Sequence, residues 1–180
     1  DELPAVPHPI VPGHEIVGEV VACGPMAELP TGMRVGIPWL GWTCGRCEHC
    51  LAGRENLCTR AEFTGWQRDG GMAEYMLAEE KDLVLLPNEL SYSDGAQVAC
   101  GFGTVYEGLE KIGISGNDAV LITGLGPVGL ATAMLSKAMG AQQIIGIEVT
   151  DERIKIAQEL GLFTTVLQAG PDNVQQIREL

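Results

Sequence analysis

A glycine-rich turn between an apolar strand and a helix is the feature that most restricts how this chain can fold. Residues 124–129 read Gly-Leu-Gly-Pro-Val-Gly, after the apolar run Ala119–Thr123 and at the start of the helical pattern Pro127–Met139. Glycines at this spacing permit a tight turn and let the backbone approach a pyrophosphate, which then rests on the helix N-terminus. The pattern predicts a dinucleotide site at Gly124, Gly126, Pro127, Val128 and Gly129. A glycine-rich turn that binds no nucleotide is the alternative.

Strands and helices continue to alternate after this turn. A second strand is predicted at Ile144–Glu148, a second helix at Asp151–Leu160, and a weaker third strand at Thr164–Leu167. Strands that alternate with helices of this length form βαβ units with a parallel sheet. We therefore expect residues 96–180 to be an α/β domain that supplies the first half of a Rossmann doubly wound parallel sheet.

An acidic residue follows the turn at the distance that nucleotide recognition requires. Glu148 ends the second strand, nineteen residues after Gly129. An acidic side chain about 20 residues beyond the turn grips the ribose hydroxyls of NAD. The next two residues, Val149 and Thr150, carry no positive charge that could accept a 2′-phosphate. Glu148 would repel that phosphate, so the sequence favours NAD over NADP.

The N-terminal half has a different pattern. Short apolar runs at Ile16–Val21 and Met72–Leu77, separated by glycine and proline, predict strands of a β-rich domain. From Ser91 onward the pattern becomes helical. We therefore expect two domains, residues 1–95 and residues 96–180.

Four cysteines are concentrated in one loop of the β-rich half. Their spacing is C-x2-C-x2-C-x7-C, formed by Cys44, Cys47, Cys50 and Cys58. Four thiolates can wrap Zn²⁺ tetrahedrally from one short loop and leave no position open for substrate, so we expect a structural zinc. Its negative charge could be offset by Arg46, Arg54 or Arg60. His49 is not needed as a ligand and is expected to be exposed. Two disulfides or an iron–sulfur cluster are the alternatives.

The composition excludes several classes of partner. The net charge of −13 argues against nucleic acid and against an anionic membrane surface. Asp1–Pro4 lacks the positive and apolar regions of a signal peptide, and the most apolar stretch, Ala119–Leu135, is interrupted by glycine and proline. We expect a cytoplasmic protein that acts on a small molecule.

Two further residues acquire meaning from the whole set of motifs. Alone, His14 in Gly-His-Glu and Cys100 before a Thr-x-Tyr helix are an ordinary loop histidine and a small buried thiol. Together with the four-cysteine loop and the dinucleotide turn, in this order, they resemble the zinc-dependent medium-chain alcohol dehydrogenases, particularly the tetrameric yeast and bacterial type. The resemblance covers the chain from about residue 8 to its end.

This resemblance implies a mechanism and a fold. A GroES-like domain would bind a catalytic zinc through His14 and Cys100, with Glu15 beside the metal. Zinc lowers the pKa of the alcohol, and the alkoxide passes hydride to the nicotinamide of NAD. The resemblance also implies a small alcohol or aldehyde as substrate and a homo-oligomer. Trp39 would wall the substrate pocket, with ordinary core packing as the alternative.

The chain departs from the family pattern at its start. The family's first catalytic zinc ligand is an upstream cysteine, and none occurs in the thirteen residues before His14. We therefore expect a segment of a longer enzyme, truncated at both ends. A zinc-stabilised, catalytically inactive structural or interaction module is one alternative. A polyol or amino-alcohol dehydrogenase is another, although sorbitol-type enzymes usually carry glutamate in place of Cys100.

Overall fold

The computed structural model describes residues 9–180, which form two compact units. One unit extends to Cys100 and the other comprises Gly101–Leu180. Residues 1–8, on which the expectation about a signal peptide rests, lie outside the described residues. Within residues 9–180, no helix is both long enough and apolar enough to cross a membrane.

The first unit is built on two small antiparallel sheets. Their strands are β1 (Ile16–Glu19), β2 (Arg34–Ile37), β3 (Leu40–Trp42), β4 (Glu62–Phe63) and β5 (Val84–Leu85). One sheet has the order β1-β2-β5, and the other pairs β3 with β4. Its helical segments are α1 (Glu48–Leu51), α2 (Tyr92–Gln97) and the 3-10 turns Glu55–Leu57 and Glu80–Asp82.

Arg34 ties the first sheet to α2. Its guanidinium donates a 2.6 Å hydrogen bond to the carbonyl of Leu90 and lies 4.6 Å from the ring centroid of Tyr92. The helix begins where the sequence predicts, because Ser91 and Asp94 form a capping box in which each side chain accepts from the other's backbone N–H. A π-helical turn, Val98–Phe102, follows α2.

The prediction of a strand at Met72–Leu77 is wrong. Although the segment has an apolar strand-like composition, it does not pair with any strand among residues 9–180. The side chains of Met72, Tyr75 and Leu77 are 73%, 74% and 96% exposed. Strand composition produces a strand only where a neighbouring backbone supplies the ladder of hydrogen bonds, and this segment lacks one.

The second unit is the expected α/β arrangement. Its parallel sheet has the order β6-β7-β8, formed by β6 (Ala119–Thr123), β7 (Gln143–Glu148) and β8 (Thr165–Gln168). Its helices are α3 (Gly103–Ile112), α4 (Pro127–Ala138), α5 (Asp151–Leu160) and α6 (Asn173–Arg178). The fold predicted from the sequence, a GroES-like β region followed by a Rossmann-type parallel sheet, is confirmed.

The core of the second unit lies between the sheet and its helices. Ile122 of β6, Ile144 of β7 and Ala157 of α5 are buried together with Leu125. Burial of each large aliphatic side chain contributes about 1.5–3 kcal/mol. This packing fixes the carboxyl ends of β6 and β7, which carry the glycine-rich turn and Glu148.

Candidate metal centre and dinucleotide site

The four cysteines of the loop bring their sulfur atoms together. All four Sγ atoms lie within 4.8 Å of one another, and the separations Cys47–Cys50 and Cys44–Cys50 are 3.5 Å and 3.9 Å. Zn–S bonds of about 2.3 Å in a tetrahedron place sulfur atoms about 3.8 Å apart. All four are free cysteines, which excludes the two-disulfide alternative in this structure. The cluster has the donor set and spacing of a metal centre.

The cysteines of this cluster differ in pKa, so negative charge is distributed unevenly among their sulfur atoms. A hydrogen bond from the backbone N–H of Arg46, followed by one from the side chain of Arg60, lowers the pKa of Cys44 to about 5. Burial and the neighbouring thiols raise the pKa of Cys50 to about 11. In turn, the sulfur of Cys44 raises the pKa of Arg60. Of the three arginines expected to offset the thiolate charge, Arg60 is therefore one whose side chain contacts the cluster.

Backbone N–H groups hold the sulfur atoms in place. The N–H of Cys47 donates to Cys44 Sγ at 3.3 Å, and the N–H of Arg60 donates to Cys58 Sγ at 3.4 Å. The short helix α1 carries the buried Cys50 toward the other three. Within residues 9–180, these four cysteines form the one group of three or more His, Cys, Asp or Glu side chains that could hold a metal.

His49 differs from its expected environment. Its side chain is 25% exposed, so it is half-buried rather than exposed, and Nε2 lies 3.6 Å from Glu48 Oε1. Its Nδ1 atom is buried and has no hydrogen-bond partner among the described residues. His49 lies in α1 next to the buried Cys50, and the sequence pattern alone did not indicate this burial.

Close backbone contact positions the Gly-His-Glu segment. The N–H of Gly70 donates to Val11 O at 2.7 Å, and the N–H of Gly71 donates to Gly13 O at 3.1 Å. A Cβ at Gly70 would collide with the carbonyl oxygen of Gly13, which itself has a φ of +99°. Only glycine fits at both places. The segment thereby presents His14 beside an open recess of about 370 Å³.

Trp39 lies beside His14. Their ring centroids are 6.1 Å apart, and the indole also stacks on Phe63, with 4.2 Å between the ring centroids. Trp39 is 45% exposed, so ordinary core packing does not describe it. The structure thus brings an aromatic wall next to the histidine that the sequence singled out.

The side chain of Cys100 lies next to the carboxylate of Glu15. Burial, followed by the charge of Glu15 and a hydrogen bond with its carboxylate, raises the pKa of the Cys100 thiol. Within the described residues, however, His14, Glu15 and Cys100 do not form a group that could hold a metal. The structure therefore places these three residues in the first unit without assembling them as a metal centre.

The glycine-rich turn has the shape that a pyrophosphate requires. Gly124 has a φ of +86°, and a Cβ at Gly129 would collide with the carbonyl oxygen of Gly124. Gly126 is the N-cap of α4, and Pro127 occupies its first turn. The N-terminal N–H groups of this twelve-residue helix face the region where an anion binds in such turns.

Glu148 lies at the same end of the sheet as this turn. Its side chain is 3% exposed, and Oε2 accepts a 2.7 Å hydrogen bond from Leu125 N. That bond, with others from the N–H groups of Thr150 and Val149, lowers the pKa of Glu148. The glutamate predicted to grip a ribose is thus already bonded to the protein backbone.

Arg153 is a residue that the reading of the sequence missed. Its Nη1 atom lies 3.8 Å from Glu148 Oε2, and the side chain is 55% exposed. The same atom lies 3.8 Å from the position of a Cβ on Gly126. Although Val149 and Thr150 are uncharged, Arg153 in the first turn of α5 places a guanidinium at this site. The presence of an arginine in the first turn of the helix after β7 was the sequence signal that could have indicated it.

Comparison with known proteins identifies the family. The alcohol dehydrogenase GroES-like domain matches residues 1–88, and the zinc-binding dehydrogenase domain matches residues 127–180. This chain belongs to the zinc-type medium-chain alcohol dehydrogenase family. The family resemblance derived from the motifs is therefore confirmed.

Members of this zinc-type family match almost the whole chain. An uncharacterized zinc-type alcohol dehydrogenase-like protein of Escherichia coli (strain K12) is 46% identical over 92% of this chain and 47% of its own length. An alcohol dehydrogenase of Geobacillus stearothermophilus is 38% identical over 95% of this chain and 51% of its own. The chain spans about half the length of the curated relatives it matches.

A solved structure of the family shows the same fold. The crystal structure of an NAD-dependent alcohol dehydrogenase superposes with a TM-score of 0.88 at 32% identity. The match covers 98% of this chain and 52% of that chain. Both units of the chain therefore have counterparts in that medium-chain dehydrogenase.

Proposed function

We propose that this chain is part of an NAD- and zinc-dependent dehydrogenase that oxidises a small alcohol. The observation that carries the proposal is the coexistence, in one member of the family, of a four-thiolate metal centre and a dinucleotide turn. Residues 1–95 would act as the GroES-like zinc-binding catalytic domain, and residues 96–180 as the NAD-binding domain.

The four-cysteine cluster would hold a structural zinc. Four thiolates fill a tetrahedral coordination shell and leave no position for an alcohol, so this metal braces the loop. The guanidinium of Arg60 would offset part of the negative charge. The donor set fits zinc, because all four sulfur atoms lie within 4.8 Å of one another and two of their separations, 3.5 Å and 3.9 Å, are close to the tetrahedral value.

The substrate would bind near His14. His14 and Cys100 would supply two ligands to a catalytic zinc, which needs a third protein ligand, and the metal would polarise the alcohol oxygen when bound. Glu15 hydrogen-bonds Cys100 and would orient that ligand. The ring centroid of Trp39 lies 6.1 Å from that of His14, and a rigid indole there would restrict the space beside the histidine to small alcohols.

NAD would bind at the turn and at Glu148. The pyrophosphate would rest on the N-terminus of α4, because the absence of side chains at Gly124, Gly126 and Gly129 leaves the backbone accessible. The buried carboxylate of Glu148 would disfavour a 2′-phosphate. Arg153 opposes this effect in part, since an arginine at such a position can accept that phosphate.

The test combines metal analysis with turnover. The full-length protein to which this chain belongs is purified and analysed for zinc, and formation of NADH or NADPH is followed with primary and secondary alcohols, sorbitol and threonine, using NAD and NADP in parallel. We expect zinc in the preparation, binding of NAD in preference to NADP, and oxidation of small alcohols. His14→Ala should abolish turnover without removing the zinc of the four-cysteine cluster. A clear preference for sorbitol or threonine would contradict the proposed substrate class.

One observation favours a second function. The four cysteines form a complete metal group, whereas His14, Glu15 and Cys100 do not within the described residues. A zinc-stabilised module without catalysis is the corresponding candidate. In the full-length protein, about one zinc per chain with no turnover of any alcohol would support this module over the dehydrogenase.

We further propose a cytoplasmic homo-oligomer that acts on small molecules. The support is the motif set of the tetrameric type and the absence, in the described part of the chain, of a helix able to span a membrane. Light scattering of the purified protein gives the number of chains per particle. A strictly monomeric protein would contradict the proposal.

A further inference from the structure

We propose that Glu148 is a positioning residue that sets the shape of the glycine-rich turn before any cofactor binds. This inference rests on the proposed dinucleotide function, but it concerns the cofactor-free protein. Glu148 Oε2 accepts a hydrogen bond from the backbone N–H of Leu125. This bond joins the carboxyl end of β7 to the turn after β6.

Both the side chain and the backbone N–H of Leu125 are restrained. Its side chain is 1% exposed and packs in the core with Ile122 and Ile144. Its N–H donates a 2.7 Å hydrogen bond to a carboxylate that is itself 3% exposed. A charge-assisted hydrogen bond shielded from water is stronger than an exposed one, so it restrains the backbone next to it. That backbone directly precedes Gly126, the N-cap of α4.

The remaining acceptor capacity of Glu148 is small. Its other oxygen, Oε1, accepts from Val149 N at 2.7 Å and from Thr150 N at 3.1 Å. An ionised carboxylate offers about four acceptor positions. Three are therefore taken by the backbone. Glu148 could accept one ribose hydroxyl in this arrangement, but accepting two would require release of a backbone N–H.

The length of the side chain matters for this role. Glutamate reaches Leu125 from the end of β7 while its second oxygen remains with Val149 and Thr150. Aspartate is shorter by one carbon–carbon bond of about 1.5 Å. We expect that Glu148→Asp cannot maintain both sets of bonds. Glu148→Gln keeps the length but replaces one accepting oxygen with a donor, so it loses one set.

The experiment separates positioning of the turn from binding of the ribose. Hydrogen exchange at the Leu125 amide is measured without cofactor in the wild-type chain and in Glu148→Asp and Glu148→Gln. The affinities for ADP and for 2′,3′-dideoxy-ADP, which lacks the ribose hydroxyls of its adenosine, are measured in parallel. Glu152→Asp is the matched control, because Glu152 is an exposed acidic residue in the first turn of α5.

We expect Glu148→Asp to weaken the binding of both nucleotides. Loss of a hydrogen bond to a charged group should accelerate exchange at Leu125 at least about tenfold in Glu148→Asp. The affinities for ADP and for dideoxy-ADP should both fall at least about tenfold, and any further loss seen with ADP alone would report the ribose contact. Glu152→Asp should change none of these values. Should Glu148→Asp fail to fold, Glu148→Ala, which removes both accepting oxygens, provides the comparison at Leu125.

Two results would overturn the inference. Unchanged exchange at Leu125 would show that Glu148 does not restrain the turn. A penalty seen with ADP and absent with dideoxy-ADP would show that Glu148 acts only on the ribose. Failure of the wild-type chain to bind either nucleotide would instead contradict the proposed dinucleotide function, and the exchange measurement would still decide the role of Glu148.

Discussion

The sulfur atoms of Cys47 and Cys50 lie 3.5 Å apart, close to the separation of two thiolates on one tetrahedral zinc. Two residues separate them in the chain, and the first turn of α1 gives this spacing. The loop is therefore arranged for a metal by its own backbone. We expect its stability to depend on that metal, because bringing thiolates together without a cation is unfavourable.

Cys47→Ser should release the metal from this loop. Loss of one of four ligands should accelerate transfer of zinc to a chelator at least about tenfold. Zinc transfer is followed with a chromogenic chelator. Cys23→Ser is the matched control, because Cys23 is exposed and lies outside the cluster. Equal rates of transfer for the two variants would contradict the assignment of the site.

In the metal-free chain, Cys44 should be alkylated before Cys50. The pKa of Cys44 is lowered to about 5 and that of Cys50 is raised to about 11, so between these values the first is a thiolate and the second a thiol. Iodoacetamide at neutral pH should therefore modify Cys44 first, as measured by peptide mass spectrometry. The folded pKa of Cys44 lies below 9.0, the ordinary pKa of a cysteine thiol. The Cys44 thiolate therefore stabilises the metal-free fold fully above pH 9.0, and this contribution is lost as the pH falls toward 5. Faster modification of Cys50 would be incompatible with this charge distribution.

Gly129→Ala should destabilise the second unit and prevent dinucleotide binding. The added methyl group would collide with the carbonyl oxygen of Gly124, and such overpacking costs about 1–3 kcal/mol. Gly108→Ala is the control, because a Cβ there meets no atom within 4 Å. As Gly108 lies inside α3, its replacement should stabilise by about 0.5–1 kcal/mol. Urea denaturation and ADP titration measure both effects. Retention of ADP binding by Gly129→Ala would argue against the turn as the binding site.

Ser136→Ala should stabilise the second unit. The hydroxyl of Ser136 is fully buried in α4 and has no hydrogen-bond partner among the described residues. Removing an unsatisfied buried hydroxyl should contribute about 1–3 kcal/mol. Ser136→Thr, which keeps the hydroxyl and adds a methyl group, should destabilise. Thermal unfolding of both variants tests this, and a lower midpoint for Ser136→Ala would mean that the hydroxyl has a partner.

The sequence predicted the second unit more closely than the first. The strand Ala119–Thr123 and the helix Asp151–Leu160 were placed at their observed ends. Their signals are local, since Gly161 stops the helix with a φ of +60°. In contrast, a strand at Met72–Leu77 depends on a partner elsewhere in the chain, and apolar composition cannot show whether that partner exists.

In the candidate sites, too, the features set by local sequence were predicted, and those that depend on contacts between distant residues were not. The spacing of the cysteines predicted their cluster, because all four ligands come from one loop. The bond from Glu148 to Leu125 and the return of Arg153 depend on side-chain conformations at the ends of two strands. No pattern along the chain encodes those conformations directly.

X-ray absorption at the zinc edge of the purified chain determines whether the four-cysteine cluster binds zinc. We expect a zinc site with four sulfur neighbours at about 2.3 Å. Substituting serine for Cys47 should lower the sulfur count, whereas the same change at Cys23 should not. A spectrum with nitrogen or oxygen neighbours only, or an iron–sulfur signature in place of zinc, would contradict it.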